Sequence, residues 1–179
     1  MQLDTNILFF LNGFAGISPW LDSTIVFFAS YLPWLLVAIF MFWLYFSSSP
    51  KKEKLYIFWV AIIAALVARF GITELIRFLY HRPRPFMAYQ QIHALFVDNE
   101  WSFPSGHATF FFAIASAVFL YNRKWGVGFF VAALIITISR VIAGVHYPSD
   151  IVGGMLVGIA VAYAVFYVAE KWRAKEIEQ

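Results

Sequence analysis

Three short stretches hold most of the side chains that could do chemistry: Arg77 to Pro85 (RFLYHRPRP), Pro104 to His107 (PSGH) and Ser139 to Asp150 (SRVIAGVHYPSD). Arg77, Arg82, Arg84 and Arg140 are planar cations whose forked donors match the oxygens of a phosphate group. Ser105, Gly106 and His107 read as the opening of a helix, where free backbone N–H groups and the positive end of the helix dipole make an anion site. Gly106 lets an anion approach the backbone closely, and Ser105 can add a hydroxyl donor. His146 and Asp150 flank a Tyr-Pro-Ser turn, so the carboxylate can accept from one ring nitrogen and leave the other with a lone pair, as a nucleophile needs. Each stretch alone has a plainer reading. Arg near a helix end snorkels, Pro-Ser-Gly is an ordinary turn and Ser105 an ordinary N-cap. A metal held by His146 and Asp150 is the chemical rival, but the same Arg residues would repel a divalent ion and can neutralise phosphate charge themselves. Neither metal nor cofactor is therefore expected.

The elements that must position these residues are membrane helices. Of 179 residues, 62% are hydrophobic and only 13% charged, against about 25% charged in soluble domains. With a mean hydropathy of +0.74, the chain has to place most of its surface in lipid. Apolar runs of spanning length occur at 20–46, 55–80, 105–121, 126–146 and 149–169, and they predict an all-α helical bundle of five transmembrane helices. A sixth crossing arises only if residues 3–17 also cross; interrupted by Asn12, Gly13 and Gly16, they read instead as an interfacial helix. The chain is thus one domain: residues 1–19 interfacial, 20–169 the transmembrane core and 170–179 a cytoplasmic tail. Pro33 falls inside the first span and should kink it. No basic n-region or cleavage site precedes the first apolar stretch, so no removable signal peptide is expected. There is no Cys, which removes disulfides and thiolate chemistry.

Lys51, Lys52, Lys54, Arg123, Lys124, Lys171, Arg173 and Lys175 gather at one side of this layout, which the positive-inside rule makes cytoplasmic. The pI of about 9.2 reflects that asymmetry and not a nucleic-acid surface. The three chemical stretches lie at the opposite ends of the spans, facing outward. An Arg at a helix centre costs about 2.5–3.5 kcal/mol on insertion scales, so several gathered on the disfavoured side imply a shared anionic partner. Arg69 is deeper still. It is expected to face the bundle interior and pair with a carboxylate, although Glu74, five residues on, is poorly spaced for it in an α-helix and suits Arg77 better.

The three stretches resemble the signature of the type 2 phosphatidic acid phosphatase superfamily, K-x6-R-P, P-S-G-H and S-R-x5-H-x3-D. Here they stand as Arg77-x6-Arg84-Pro85, Pro104-Ser105-Gly106-His107 and Ser139-Arg140-x5-His146-x3-Asp150, with Arg77 replacing the Lys. The resemblance implies His146 as nucleophile, Asp150 as its orienting partner and His107 as general acid, with Arg77, Arg84, Ser105, Gly106 and Arg140 binding phosphate. It assigns nothing to His81 or Arg82. Residues 82–86 and 144–150 look like those of bacterial undecaprenyl-diphosphatases of the bacitracin-resistance type. The implied activity is hydrolysis of a lipid phosphate or diphosphate at the outer face of the cell membrane, with membrane lipids as its surroundings. Phosphatidylglycerophosphate, phosphatidate or lipid A phosphatases share the same reaction. The rival of another class is a non-enzymatic lipid or anion transporter, which would use the cations but has no need of a nucleophile, its orienter and an acid.

Overall fold

The computed structural model describes residues 2–177; Met1 and the last two residues of the expected tail lie outside the described residues. Among the described residues the chain is all helical: α1 Gln2–Asn12, α2 Pro19–Phe46, α3 Lys51–Leu79, the single turn α4 Pro85–Ala88, α5 Gly106–Tyr121, α6 Arg123–Ile142 and α7 Pro148–Ile177. Helices α2, α3, α6 and α7 are long and apolar enough to cross a membrane, and α5 is the shorter apolar helix.

Helix α5 is apolar on every side, the pattern of a helix surrounded by others, and it forms the bundle's centre, with residues from Gly106 to Val118 almost all buried. Small residues bring α7 against it. A Cβ added at Gly154 would lie 2.7 Å from that of Ala108, and one at Gly158 would lie 2.4 Å from the Thr109 carbonyl, so this four-residue glycine spacing lets the two backbones touch. Large side chains on the outer faces, among them Trp34, Phe42, Phe70, Phe78 and Leu156, are left exposed for lipid.

Several boundaries differ from the expected spans, each for a local reason. Helix α6 ends at Ile142 instead of 146 because Gly144, at φ +76°, closes it in a Schellman motif: Val145 N–H donates to the Arg140 carbonyl at 3.2 Å and Gly144 N–H to that of Val141 at 3.0 Å. Helix α3 starts earlier, at Lys51, since a basic first turn can snorkel. Helix α7 continues to Ile177 where a separate tail was expected.

Pro33 does not break α2. The five residues Phe27–Tyr31 form a π turn, and the Leu32 N–H that follows donates to the Phe27 carbonyl. Lacking an N–H, Pro33 leaves the Ala29 carbonyl without its usual donor four residues on, and Arg140 Nη1 approaches that carbonyl at 3.4 Å.

Helix α1 lies across the end of the bundle where α6 stops and α7 starts. Leu8 and Asn12 are buried, Asn12 donating to the carbonyls of Ile142 and His93. Leu3, Ile7, Phe10 and Phe14 face outward, an apolar stripe of the kind an interfacial helix presents to lipid.

Candidate active site

The local structure of each motif follows from its sequence. In Arg82-Pro83-Arg84-Pro85, each Arg precedes a proline and is pushed to an extended backbone, which Arg84 shows at φ −71° and ψ 156°. Ser105 caps α5, its hydroxyl accepting from the Ala108 N–H at 3.5 Å. The N–H groups of Gly106 and His107, one and two positions into the helix, precede any intrahelical acceptor. Two residues past the Schellman turn, the chain presents His146. Pro148 then occupies the first position of α7, and Asp150, in its first turn, accepts from the Tyr147 N–H at 2.8 Å, the side-chain half of a capping box. Helix capping thus fixes the carboxylate beside the imidazole.

His146 is 1% exposed and Asp150 0%. His146 Nδ1 lies 3.4 Å from Asp150 Oδ2, and Nε2 lies 3.3 Å from Arg84 Nη1. A guanidinium only donates, so Nε2 carries the lone pair and the ring proton sits on Nδ1, towards Asp150. Burial, and then the Arg140 and Arg84 charges, pull the His146 pKa down to about 4 against the raising influence of Asp150. The ring is therefore neutral at pH 7 with its lone pair towards Arg84.

That face opens on a cavity of about 190 Å³ lined by Arg69, Arg77, Arg84, Asp98, Glu100, Gly106, His107 and His146. Of the residues expected at the site, Arg77, Arg84, Gly106, His107 and His146 line it. Ser105 is buried beneath it as the cap, and Arg140 reaches it through Asp98, whose Oδ2 lies 3.0 Å from Arg140 Nη2 and 2.9 Å from Arg84 Nη2. Arg77 Nε, Arg84 Nη2 and Arg140 Nε are buried without an acceptor in good hydrogen-bond geometry. Buried donors without a well-placed acceptor are costly, and two of these three belong to Arg77 and Arg84, which line the cavity. A larger cavity at the opposite end of the bundle, about 560 Å³ and lined by Ser47 to Pro50, Glu53, Asn122 and aromatic residues, offers no imidazole or guanidinium.

Sequence reasoning missed the acids. Asp98 and Glu100, in the loop before α5, hold the cavity's Arg residues: Glu100 pairs with Arg77 and with Arg69, the latter at 2.8 Å. Burial pushes the Asp98 carboxyl up, but Arg84, its backbone bond and Arg140 hold it below the ordinary carboxylate range. It also missed Ser102, whose hydroxyl donates to Asp150 Oδ2 at 2.5 Å, and Asp4. Arg82, given no role by the motif, donates to Asp150 Oδ1 at 2.6 Å, to Ser149 Oγ at 2.7 Å and to Asp4 Oδ2 at 2.7 Å, with its guanidinium over the Tyr147 ring. His81 packs against Trp101. Arg69 does pair with Glu74, because a π turn at Val67–Ile72 raises the local repeat and brings residues five apart together. Loop acids carry no periodic signal, whereas Gly71 inside the span was the visible hint of an irregular turn.

No three His, Asp or Glu are gathered for a metal among the described residues. The helical bundle carries a buried imidazole and guanidinium site at one end. Residues 54–174 match the PAP2 superfamily model, and the chain belongs to that superfamily. It is 32% identical over 166 residues to the undecaprenyl-diphosphatase BcrC of Bacillus subtilis (strain 168), covering 91% of this chain and 82% of the relative. It is 31% identical over 174 residues to a Bacillus licheniformis protein named bacitracin transport permease protein BcrC, covering 95% and 82%. The crystal structure of Aquifex aeolicus LpxE superposes with a TM-score of 0.72 at 27% identity, covering 92% of this chain and 95% of that one.

Proposed function

We propose that this chain hydrolyses undecaprenyl diphosphate to undecaprenyl phosphate and phosphate through a phosphohistidine on His146, without a metal ion, at the outer face of the cell membrane. The observation that carries this reading is the lone pair of His146 Nε2, 3.3 Å from Arg84, at the wall of an Arg-lined cavity that His107 also lines.

Arg77 and Arg84 hold the non-bridging oxygens of the terminal phosphate, with the N–H groups of Gly106 and His107. His146 Nε2 forms a bond to phosphorus as the bond from phosphorus to the bridging oxygen breaks; His107 gives that oxygen a proton and the lipid phosphate leaves. In the second step water attacks phosphorus, His107 takes its proton, the nitrogen-phosphorus bond breaks and phosphate departs. A helix N-terminus disfavours a protonated imidazole, so the bound phosphate supplies the charge that makes His107 an acid. Asp150 supports the tautomer and the developing charge of His146, and the Arg residues stabilise the phosphoryl group as a metal would elsewhere.

The choice of lipid rests on the two BcrC relatives. Phosphatidylglycerophosphate, phosphatidate and lipid A phosphates would be cleaved by the same steps and form the comparison panel. The side of the membrane is supported by the basic residues at the starts of α3 and α6 and at the end of α7. A lipid or anion transporter would need the cations but not the His146–Asp150 pair.

Phosphate release from that panel by purified protein in detergent tests the reading. Undecaprenyl diphosphate should be preferred and His146→Ala inactive. With p-nitrophenyl phosphate, whose leaving group hardly needs an acid, His107→Ala should release a burst of about one p-nitrophenol per site and leave acid-labile phosphate on His146. A burst-free variant with no trapped phosphate under rapid quench would mean direct attack by water.

A further inference from the structure

Arg69 belongs to none of the three motif stretches, yet it lies where two spaces meet. The polar cavity of about 190 Å³ and an apolar groove of about 310 Å³ share three lining residues, Arg69, Gly106 and His107. The rest of the groove is Pro33, Trp34, Val37, Phe70, Phe110 and Phe111. Trp34 is 76% and Phe70 62% exposed, so the groove opens sideways to lipid between α2 and α3. Sharing three lining residues with the Arg-lined cavity, it fits the hydrocarbon chain of a lipid whose anionic head occupies that cavity.

The guanidinium of Arg69 lies over the backbone at the start of α5: a Cβ added at Gly106 would be 2.4 Å from Arg69 Nε and 3.0 Å from its Cζ. Arg69 thus stands beside His107, on the groove side of the cavity. Phosphoryl transfer runs in line, with attacking and leaving atoms on opposite sides of phosphorus. With His146 attacking from within, the bridging oxygen points towards His107 and the lipid runs on into the groove. The group just beyond that oxygen is a carbon in a lipid monophosphate and a second, charged phosphate in a lipid diphosphate. A fixed cation there is of use only to the latter.

We propose that Arg69 binds the lipid-side phosphate of a lipid diphosphate and makes this site select diphosphates over monophosphates of the same lipid. This rests on the reading of the site given above and names the residue that recognises its substrate class. The π turn at Val67–Ile72 turns Arg69 towards α5, as such turns often do at functional sites. Its present partners, Glu74 and Glu100, have side chains 46% and 51% exposed, and ion pairs to such exposed carboxylates are weak enough for a phosphate to replace one. During the reaction, Arg69 stays on the departing lipid phosphate, whose negative charge it neutralises while the bridging oxygen takes its proton from His107.

Farnesyl diphosphate and farnesyl phosphate share one tail and isolate the second phosphate. The ratio of their kcat/KM values should fall about ten- to hundredfold in Arg69→Gln, the range expected for loss of a charged hydrogen bond, whereas Arg69→Lys, which keeps the charge, should hold the ratio within about threefold of wild type. If Arg69 only supports the α5 N-terminus, both substrates fall together and the ratio stays put, which would overturn the proposal. Should Arg69→Gln not fold, wild type still decides: kcat/KM for farnesyl diphosphate should exceed that for farnesyl phosphate by about tenfold or more, with Arg69→Lys keeping that preference, and a wild-type ratio near one would overturn the proposal. Wild type that cleaves farnesyl phosphate but not the diphosphate would remove the undecaprenyl-diphosphatase reading. Wild type that cleaves the diphosphate, with an unmoved ratio in Arg69→Gln, would remove the Arg69 assignment alone.

Discussion

Asp150→Asn offers a test of how the nucleophile is oriented, because the structure predicts which way the new amide will turn. Oδ2 accepts from Tyr147 N–H and from Ser102, and lies beside His146 Nδ1; Oδ1 accepts from Arg82. An amide has one oxygen for these two sides. Arg82 is a charged donor at 2.6 Å, and a hydrogen bond of that kind is worth about 1.5–3 kcal/mol against about 1 for a neutral one. Ser102 can turn to accept, and His146 can change tautomer only by giving up the long 3.3 Å bond that Nε2 accepts from Arg84, so the Tyr147 N–H and, more weakly, Arg84 resist. The balance favours the oxygen facing Arg82 by about 1–2 kcal/mol, with the NH2 towards His146. The ring proton then moves to Nε2 and the nucleophilic lone pair is lost. At that balance the orientation alone lowers kcat about five- to thirtyfold, and loss of the carboxylate charge that supports the developing imidazolium brings the expected fall to about 10³- to 10⁴-fold. Adding Arg82→Gln removes the charged donor and lets the amide oxygen turn back, so the double variant should regain about tenfold over Asp150→Asn, 1.36 kcal/mol per decade. Steady-state phosphate release by wild type, both single variants and the double variant measures this coupling. Simple additivity of the two substitutions, or a fall of less than tenfold in Asp150→Asn, would refute the orientation argument.

Three further outcomes are expected. Activity should survive EDTA and be blocked by vanadate, a mimic of five-coordinate phosphorus; loss in EDTA with recovery on adding a divalent ion would show a metal at work. Cysteines placed at Ser48 and at Gln91 should label from opposite sides of intact membranes, and labelling from one side would overturn the orientation. With the His146 pKa at about 4, the acid limb of kcat/KM should lie near pH 4 and not near the ordinary histidine value of about 6.5. Between those two values the unfolded chain binds more protons than the folded one, so thermal stability in detergent should also fall as pH drops through that window, by up to about 3 kcal/mol; an acid limb centred near 6.5 would show that His146 is not held neutral by its surroundings.

What could be read in the sequence was whatever local spacing encodes. His146 and Asp150 are four apart across a proline at the start of a helix, and Ser105, Gly106 and His107 are consecutive, so their geometry is set within one turn. The apolar runs gave the spans because hydrophobic length is a local property. Arg69 and Glu74 were read with the α-helical repeat, and the π turn between them makes that repeat wrong at this one place. Pro33 was read as a kink within its own span, and the contact it leaves open, from Arg140 to the Ala29 carbonyl, lies across the bundle. Asp4 meets Arg82 from 78 residues away in sequence, a contact that only the docking of α1 creates.

The acids also change the electrostatic picture drawn from the Arg residues alone. Arg69, Arg77, Arg82, Arg84 and Arg140 pair with Asp4, Glu74, Asp98, Glu100 and Asp150, five cations against five carboxylates. Such balance is what allows so many guanidinium groups near the end of a membrane bundle. On the proposed reading, a phosphate entering the cavity does not meet bare positive charge and exchanges with carboxylates. Asp150 cannot be the one to leave, at 0% exposure and with its oxygens committed to Arg82, Ser102 and Tyr147. Asp98 and Glu100, with side chains 26% and 51% exposed, lie on the loop that leads into α5 and pair with Arg84 and Arg77, the two residues assigned to the terminal phosphate. On the proposed reading, substrate entry is a substitution of phosphate oxygens for loop carboxylates on the same guanidinium donors.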